Sequence, residues 1–442
     1  MTGELLYSET TLLGRASPRH TRHGPHWTGC FTSRRPKRGC NACVSARTLN
    51  DVQQPVKPHA HLAPKSDVYL LRSDGLSCSR EIVEANGSLS FACTSSQQHL
   101  LVWKQRPKCV MVLKKIGEEL EEEFAAVVDF LGREQGLLVV VEDSCHECLV
   151  RQGLGKWILP FHPSEAFGLH RAVDFIVSLG GDGLILHAAH LFGTTIPPII
   201  SFKLGSLGFL TCHDHRDYRR HLHDVIHGCT ELTECGPIKN SSGVALQGIP
   251  ITLRMRLTCS VDRADVGEGP PPSEDCVEVL NEVVLSRGAN PYLCNIEVYE
   301  RDNYITQVQA DGILVATPTG STAYSVAAGG SMVHPNTPAI LFTPICPHSL
   351  SFRPVILPDY AVLRLRVSPD ARCAAQVSFD GKRGTELAPG DSLRVCMSPN
   401  PVPTINHADQ TTDWFGSIER CFHWNDRLSQ KGLAQAQPPT RP

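Results

Sequence analysis

Val173-Asp174-Phe175-Ile176-Val177-Ser178-Leu179-Gly180-Gly181-Asp182-Gly183-Leu184 is the stretch that decides the fold. An apolar run of strand length meets a glycine-rich turn, and Leu184–Phe192 continues with helical spacing. A strand apolar on both faces belongs in a parallel sheet with helices above and below. Working outward, Cys109–Leu113, Leu137–Val141 and Ile199–Phe202 read as further buried strands. Glu118–Leu131 reads as a helix, acidic early, with Phe124, Val127, Val128 and Leu131 in one stripe and Gly136 ending it. Asp217–Gly228 reads as a shorter one. Strand–helix alternation predicts a Rossmann-like α/β domain with a parallel sheet over residues 100–236, with regular structure beginning near Lys108.

After Pro237 the period changes. Ile251–Val261, Val277–Leu285, Ile296–Val298, Ile340–Phe342, Val355–Leu357, Val362–Val367, Gln376–Phe379 and Ser392–Met397 read as short strands between Gly, Pro, Asn and Asp turns. This predicts a β-rich domain over 237–400. In the tail, 401–442, Asp409–Leu433 reads as a helix with an aromatic face (Trp414, Phe415, Phe422, Trp424) that packs back on the first domain.

The first 99 residues differ. Met1–Pro64 carries nine Lys/Arg against Glu4, Glu9 and Asp51, is rich in Ser, Thr, His and Pro, and lacks a secretory apolar core. It reads either as an organellar transit peptide, with Cys43-Val44-Ser45-Ala46 as a cleavage region, or as a disordered extension of a cytosolic enzyme.

Composition narrows the class. Hydrophobic residues make up 41% and charged residues 20% of the 442, as in ordinary globular chains. A formal net charge of −3 supplies no field to draw nucleic acid or a membrane surface, and no apolar run reaches spanning length. The 18 cysteines are too dispersed for a secreted disulfide scaffold. Two C-x-x-C pairs, Cys40/Cys43 and Cys145/Cys148, lie too far apart for a zinc ribbon; the second is open to a redox or metal role or to a plain surface loop.

Three features carry chemistry. In Gly180-Gly181-Asp182-Gly183 the glycines let backbone approach a ligand, and a helix N-terminus favours phosphate. A carboxylate in such a loop handles a proton or a metal ion. No Walker A or G-x-G-x-x-G motif occurs, which disfavours a hydride-transfer Rossmann site. Asp311–Ser325 (DGILVATPTGSTAYS) crowds hydroxyls and small residues at a strand end, a surface suited to ribose and amides. Asn281-Glu282 interrupts an apolar run; neighbours in a strand face opposite ways, so at least one needs a partner or a ligand.

Together these features resemble the NAD kinase family, in wording nearest its plant and algal members. The resemblance runs from about Leu100 to Leu433 and includes the GGDG loop, Asn281–Gly288, Asp311–Gly330, Leu204-Gly205-Ser206-Leu207-Gly208-Phe209-Leu210, Thr343–Pro354 and Ser378-Phe379-Asp380-Gly381. GGDG alone is shared with lipid kinases and phosphofructokinases; joined to TPTGSTAY it is far more specific. The resemblance implies phosphorylation of the adenosine ribose 2′-hydroxyl of NAD by ATP, with Mg²⁺ arriving on the ATP, in a homo-oligomer (dimer or tetramer). It implies Asp182 as catalytic carboxylate and Gly180, Gly181 and Gly183 as backbone donors to the triphosphate. Asn281 and Glu282 would bind NAD, Asp311 its nicotinamide end, and Thr322, Ala323 and Tyr324 the adenine–ribose pocket. A plant-like affinity points to the chloroplast, with the cytoplasm as the alternative.

Two departures stand out: Leu184 where many members have Thr, and Lys203 where Asn or His is usual. Lys203 either alters donor preference or extends to solvent. His213, His215, His221, His223 and His227 read as a solvated face, and His187 and His190 as packing residues. The competing functions are a lipid or sugar kinase of the GGDG type and a dinucleotide-binding module without turnover.

Overall fold

The computed structural model describes residues 62–426 apart from 74–77, 86, 90–97, 116, 118, 205–207, 229–247 and 265–275. Cys40/Cys43 and the expected transit peptide lie outside these residues.

The deciding stretch folds as read. Phe175–Gly180 is a strand buried throughout, and Asp182–Phe192 is a helix. Cys109–Lys114, Leu138–Glu142, Ile158–Phe161, Ile199–Lys203 and Val402–Ile405 run parallel with it. Phe124, Val127, Val128, Phe175 and Val177 lie in one core cluster; Met111, Ile176, Ile185, Ala188 and Ile199 lie in another. Helices thus cover both faces of the sheet, as a parallel sheet requires.

The sheet is larger than expected, with eleven strands among the described residues. Val68–Ser73, Cys78–Val83 and Gln98–Trp103 form an antiparallel extension joined to Ile249–Arg254. This corrects the expectation that regular structure begins near Lys108. The signal was weak because each strand is only six residues long and Arg72 and His99 interrupt the apolar pattern. Both are buried nonetheless, and their side chains meet, Arg72 Nη1 to His99 Nε2 at 3.4 Å. Buried Asp174 ties the extension down, accepting from the N–H groups of Ser66, Lys108 and Cys109 at 2.6–2.9 Å.

The run Ile251–Val261 is not one strand. Ile249–Arg254 belongs to the first sheet and Leu257–Asp262 to the second, and the chain crosses between them at Met255-Arg256. Arg256, 1% exposed, fixes the crossing by donating to the carbonyls of Gly193, Thr194 and Asn400. Alternation continues through the crossing, so periodicity alone could not reveal it. The second sheet is antiparallel, also has eleven strands among the described residues, and spans Leu257–Met397. Val402–Ile405 then returns the chain to the first sheet.

The final helix is Gln410–Phe422, capped by Asp409, whose Oδ1 accepts from Thr411 N and Thr412 N. It is shorter than the expected Asp409–Leu433 because His423 adopts a left-handed conformation (φ 50°). Its aromatic face meets Phe209, with ring centroids 4.9 Å apart at Phe422, and Gln410 Nε2 donates to Ile251 O.

Candidate active site

Gly180 sits at φ 155°, a region open to glycine, and its missing Cβ would stand 3.4 Å from Lys115 Cβ. Gly181 is the helix N-cap without a side-chain cap; Leu184 N–H turns back to Gly181 O at 3.0 Å, and the N–H groups of Asp182 and Gly183 precede it at the start of the first turn. Asp182 opens the helix and its carboxylate turns back on the chain. Oδ2 accepts Phe209 N–H at 2.7 Å, and Oδ1 accepts Leu210 N–H at 3.0 Å and the Thr211 hydroxyl at 3.4 Å. Two carboxylate oxygens offer about four lone-pair sites, so three donors orient the group and leave it capacity to accept another proton. The Leu210 carbonyl in turn accepts Ser201 Oγ at 2.9 Å, pinning this segment on the Ile199–Lys203 strand. A Cβ on Gly208 would lie 2.1 Å from Asp182 Oδ1, so only glycine lets the two segments meet.

Asn281 and Glu282 do not sit on opposite faces of one strand. Val277–Val279 and Glu282–Ser286 are separate strands, and Leu280-Asn281 is the break between them. Leu280 is fully buried in the cluster of Ile185, Ala188 and Phe192, so the break packs on the helix that Asp182 begins. Thr317 closes it from the other side: its N–H donates to Asn281 O at 2.9 Å and its hydroxyl to Leu280 O at 2.6 Å. A Cβ on Gly320 would meet Asn281 O at 2.1 Å, which explains the glycine of TPTG.

Asp380 is the residue that sequence reasoning left without a role. Asp380 and Gly381, at φ 47° and 74°, form the two-residue turn between Ala375–Phe379 and Lys382–Leu387. That turn throws the carboxylate over the break, where Oδ2 accepts Leu280 N–H at 2.9 Å and Oδ1 accepts Asn281 and Glu282 N–H at 2.7 and 3.2 Å. An Asp-Gly dipeptide between two strands was the available signal. Burial, and then the Asp380 charge, pushes the Glu282 carboxyl up to about 7. Burial also raises Asp380, against its backbone donors and the nearby His190. Glu282 Oε2 is buried without a hydrogen-bond partner among the described residues.

Most hydroxyls of the Thr317–Ser325 segment are engaged within the fold. Gly320 N–H donates to Thr317 Oγ1, Ser321 Oγ donates to Val333 O, Thr322 Oγ1 donates to Thr319 O, and Ser325 Oγ meets Thr343 Oγ1. Thr319 Oγ1 is buried with no partner, Ala323 is half-buried, and Tyr324 is exposed at 44%. Asp311 lies further along the same strand pair, where Glu282 is level with Ala316 and Ser286 with Gly312. Four residues of strand separate these levels, roughly 13 Å. Arg287 Nε donates to Asp311 Oδ1 at 2.7 Å.

The two departures settle locally. Leu184 packs against the helix-covered core, and Lys203 Nζ stands 3.9 Å from Asp214 Oδ2. His213 departs from expectation: it is 2% exposed, its ring packs against those of His221 and His407, and burial pulls it down to about 3. His187 Nε2 reaches Glu142 Oε1 at 2.9 Å. Cys145 and Cys148 stand on the Asp143–Arg151 helix rather than in a loop, and both thiols are unpaired. The Cys148 thiol donates to Glu121, which raises its pKa, the reverse of an activated thiolate. No helix of the described residues is long and apolar enough to cross a membrane.

Comparison with known proteins gives the family. Residues 110–230 match the ATP-NAD kinase N-terminal domain and residues 280–407 the ATP-NAD kinase C-terminal domain. NAD kinase 2, chloroplastic, of Arabidopsis thaliana is 50% identical over 394 residues, 89% of this chain but 37% of that protein. The probable NAD kinase 2, chloroplastic, of Oryza sativa is 52% identical over 393 residues, again 37% of its length, so the chain spans little more than a third of these plant relatives. An uncharacterized kinase of Schizosaccharomyces pombe is 35% identical over 338 residues, 74% of this chain and 82% of that one. Yeast NADH kinase complexed with NADH has the same fold, with TM-score 0.64 and 29% identity, covering 78% of this chain and 98% of that structure. With both domains matched and a relative aligned along most of its own length, this chain belongs to the NAD kinase family.

Proposed function

We propose that this chain transfers the terminal phosphoryl group of ATP to the adenosine ribose 2′-hydroxyl of NAD, giving NADP. The observation that carries the reading is the Asp182 carboxylate, held by the backbone of Phe209 and Leu210 at the first turn of an uncapped helix. A secondary alcohol is a weak nucleophile near neutral pH, and a positioned base is worth ~10²–10⁴-fold. Asp182 takes the proton of the attacking hydroxyl. The N–H groups of Gly180, Gly181 and Gly183 and the helix dipole face the negative charge of the triphosphate.

Mg²⁺ comes with the ATP and neutralises phosphate charge. Asn281 and Glu282 bind the NAD ribose, a Glu282 carboxyl near pH 7 being able to donate or accept. Thr322, Ala323 and Tyr324 line the adenine–ribose pocket. Asp311 meets the nicotinamide end, a placement that its distance along the strand from Glu282 allows for an extended dinucleotide. We also propose a dimer or tetramer and a chloroplast location, the latter by analogy with the plant relatives.

The test is NADP⁺ formation by the purified chain from NAD⁺, ATP and Mg²⁺, read by an NADP-specific dehydrogenase. ATP-dependent product supports the reading. A folded chain that binds NAD⁺ without turnover, or that phosphorylates a lipid or sugar instead, overturns it. Light scattering on the same sample reports the oligomeric state.

A further inference from the structure

Arg254 is a buried cation close to this site. It ends the Ile249–Arg254 strand and is 9% exposed. Its Nε donates to Thr404 Oγ1 at 2.9 Å. The other guanidinium donors find no acceptor among the described residues, and no carboxylate forms an ion pair with it there. Arg256, two residues on, shows how the fold treats a structural arginine: three backbone carbonyls and Glu278 at 3.8 Å surround it. A guanidinium has five N–H donors, and burying its charge unpaired is costly. A cation left so exposed to desolvation fits a role toward an anion that the fold itself does not supply.

Strand register says where that anion lies. Arg254 is level with Val402, and Thr404 is level with Ile199. Residues level in neighbouring strands share a face, as do residues two apart along one strand. Arg254, Val402, Thr404, Ile199 and Ser201 therefore share one face. Val402 and Ile199 pack there with Ile185 and Ala188 of the helix that Asp182 begins. Ser201 on that face holds the Leu210 carbonyl, and Leu210 N–H holds Asp182. The bond to Thr404 draws the guanidinium along the strand toward this end of the sheet. The groups whose charge it feels agree with that placement: Cys212, Asp182 and Asp413, with His334 beyond.

We propose that Arg254 is the protein cation that binds the transferring phosphoryl group, opposite the Asp182 carboxylate. The N-terminal turn of the helix would hold the triphosphate from one side and the guanidinium would meet its terminal oxygens from the other. Fixed donors aimed at phosphoryl oxygens in a water-poor site stabilise the charge that spreads over them during transfer. Naming that phosphate as ATP's rests on the NAD kinase reading; the existence of an anion site does not.

The experiment compares the wild-type chain with Arg254→Met and Arg254→Lys, using thermal melting with and without tripolyphosphate beside NADP⁺ formation. Wild type should gain several degrees from tripolyphosphate. Arg254→Met should gain none, melt no lower than wild type without ligand, and lose at least a hundredfold in kcat while KM for NAD⁺ stays within a few-fold. Arg254→Lys should keep part of both effects, since it keeps the charge but not the fork. An undiminished tripolyphosphate shift in Arg254→Met, or an active Met variant, overturns the proposal. If Arg254→Met does not fold, a Lys variant with the full wild-type shift and rate overturns it equally. If the wild type makes no NADP⁺, the functional reading fails while the tripolyphosphate shift still decides Arg254.

Discussion

The Asp380 carboxylate stands over the backbone of Asn281: its Oδ1 accepts the Asn281 N–H at 2.7 Å from 99 residues away in sequence. Asp380 N–H donates in return to Glu282 O at 3.0 Å. The hairpin turn at Asp380-Gly381 therefore fixes the shape of the Leu280–Glu282 segment, which packs on the helix carrying Asp182.

Asp380→Ala should strip three N–H groups, two of them buried and one partly buried, of their acceptor. Each uncompensated group costs ~1–3 kcal/mol. The variant should melt clearly lower, and KM for NAD⁺ should rise more than kcat falls. Melting at the wild-type temperature would show that the three bonds contribute little.

Asp182→Asn preserves the shape and one oxygen acceptor, so the fold should survive. NADP⁺ formation should fall by ~10²–10⁴-fold. A rate within a few-fold of wild type, measured by the coupled dehydrogenase, would remove Asp182 as the base.

The Glu282–Asp380 pair gives stability a pH dependence of defined sign. Glu282 moves from its ordinary 4.5 to about 7 on folding. Between those values the folded chain holds a proton that the unfolded chain releases, so stability is full below about pH 4.5 and falls as pH rises to 7. The loss from Glu282 is on the order of 3 kcal/mol. Asp380, raised by burial, acts in the same direction. Glu282→Gln should flatten the curve in that window, seen as a melting-temperature difference that shrinks toward pH 4.5.

Gly208→Ala would put a methyl 2.1 Å from Asp182 Oδ1 and 2.7 Å from Thr211 Oγ1. Either the loop or the carboxylate must move. Activity should drop by ten-fold or more, and because Leu210 and Thr211 beside it are buried the melting temperature should fall as well. An active variant would mean that the Phe209–Leu210 bonds to Asp182 are dispensable.

A chain starting at residue 105 loses Val68–Ser73, Cys78–Val83 and Gln98–Trp103, and with them the indole bond from Trp103 to Val225 O at 2.6 Å. The Ile249–Arg254 strand then becomes an open sheet edge. The truncated chain should melt lower or aggregate, whereas one starting at residue 62 keeps every strand described. Equal melting temperatures would contradict a structural role for the extension.

The parallel unit around Gly180-Gly181-Asp182-Gly183 was legible locally, since a run such as Phe175–Leu179, with Ser178 as its single polar residue, suits a strand covered on both faces. The sequence by itself also named the Asp182, Asn281-Glu282 and Thr317–Ser325 segments, because polar or glycine residues inside apolar strands stand out locally. Long-range placement was not local information. The run Ile251–Val261 keeps its alternation while changing sheets at Arg256, and alternation reports a face, not a partner. His213 read as solvated among other histidines, yet it is buried against residues nearly two hundred positions away. Arg254 and Asp380 are ordinary charges in the sequence. Only the tertiary structure, by bringing Thr404 and Leu280–Glu282 against them, buries one without a counter-ion and fills the other with backbone donors.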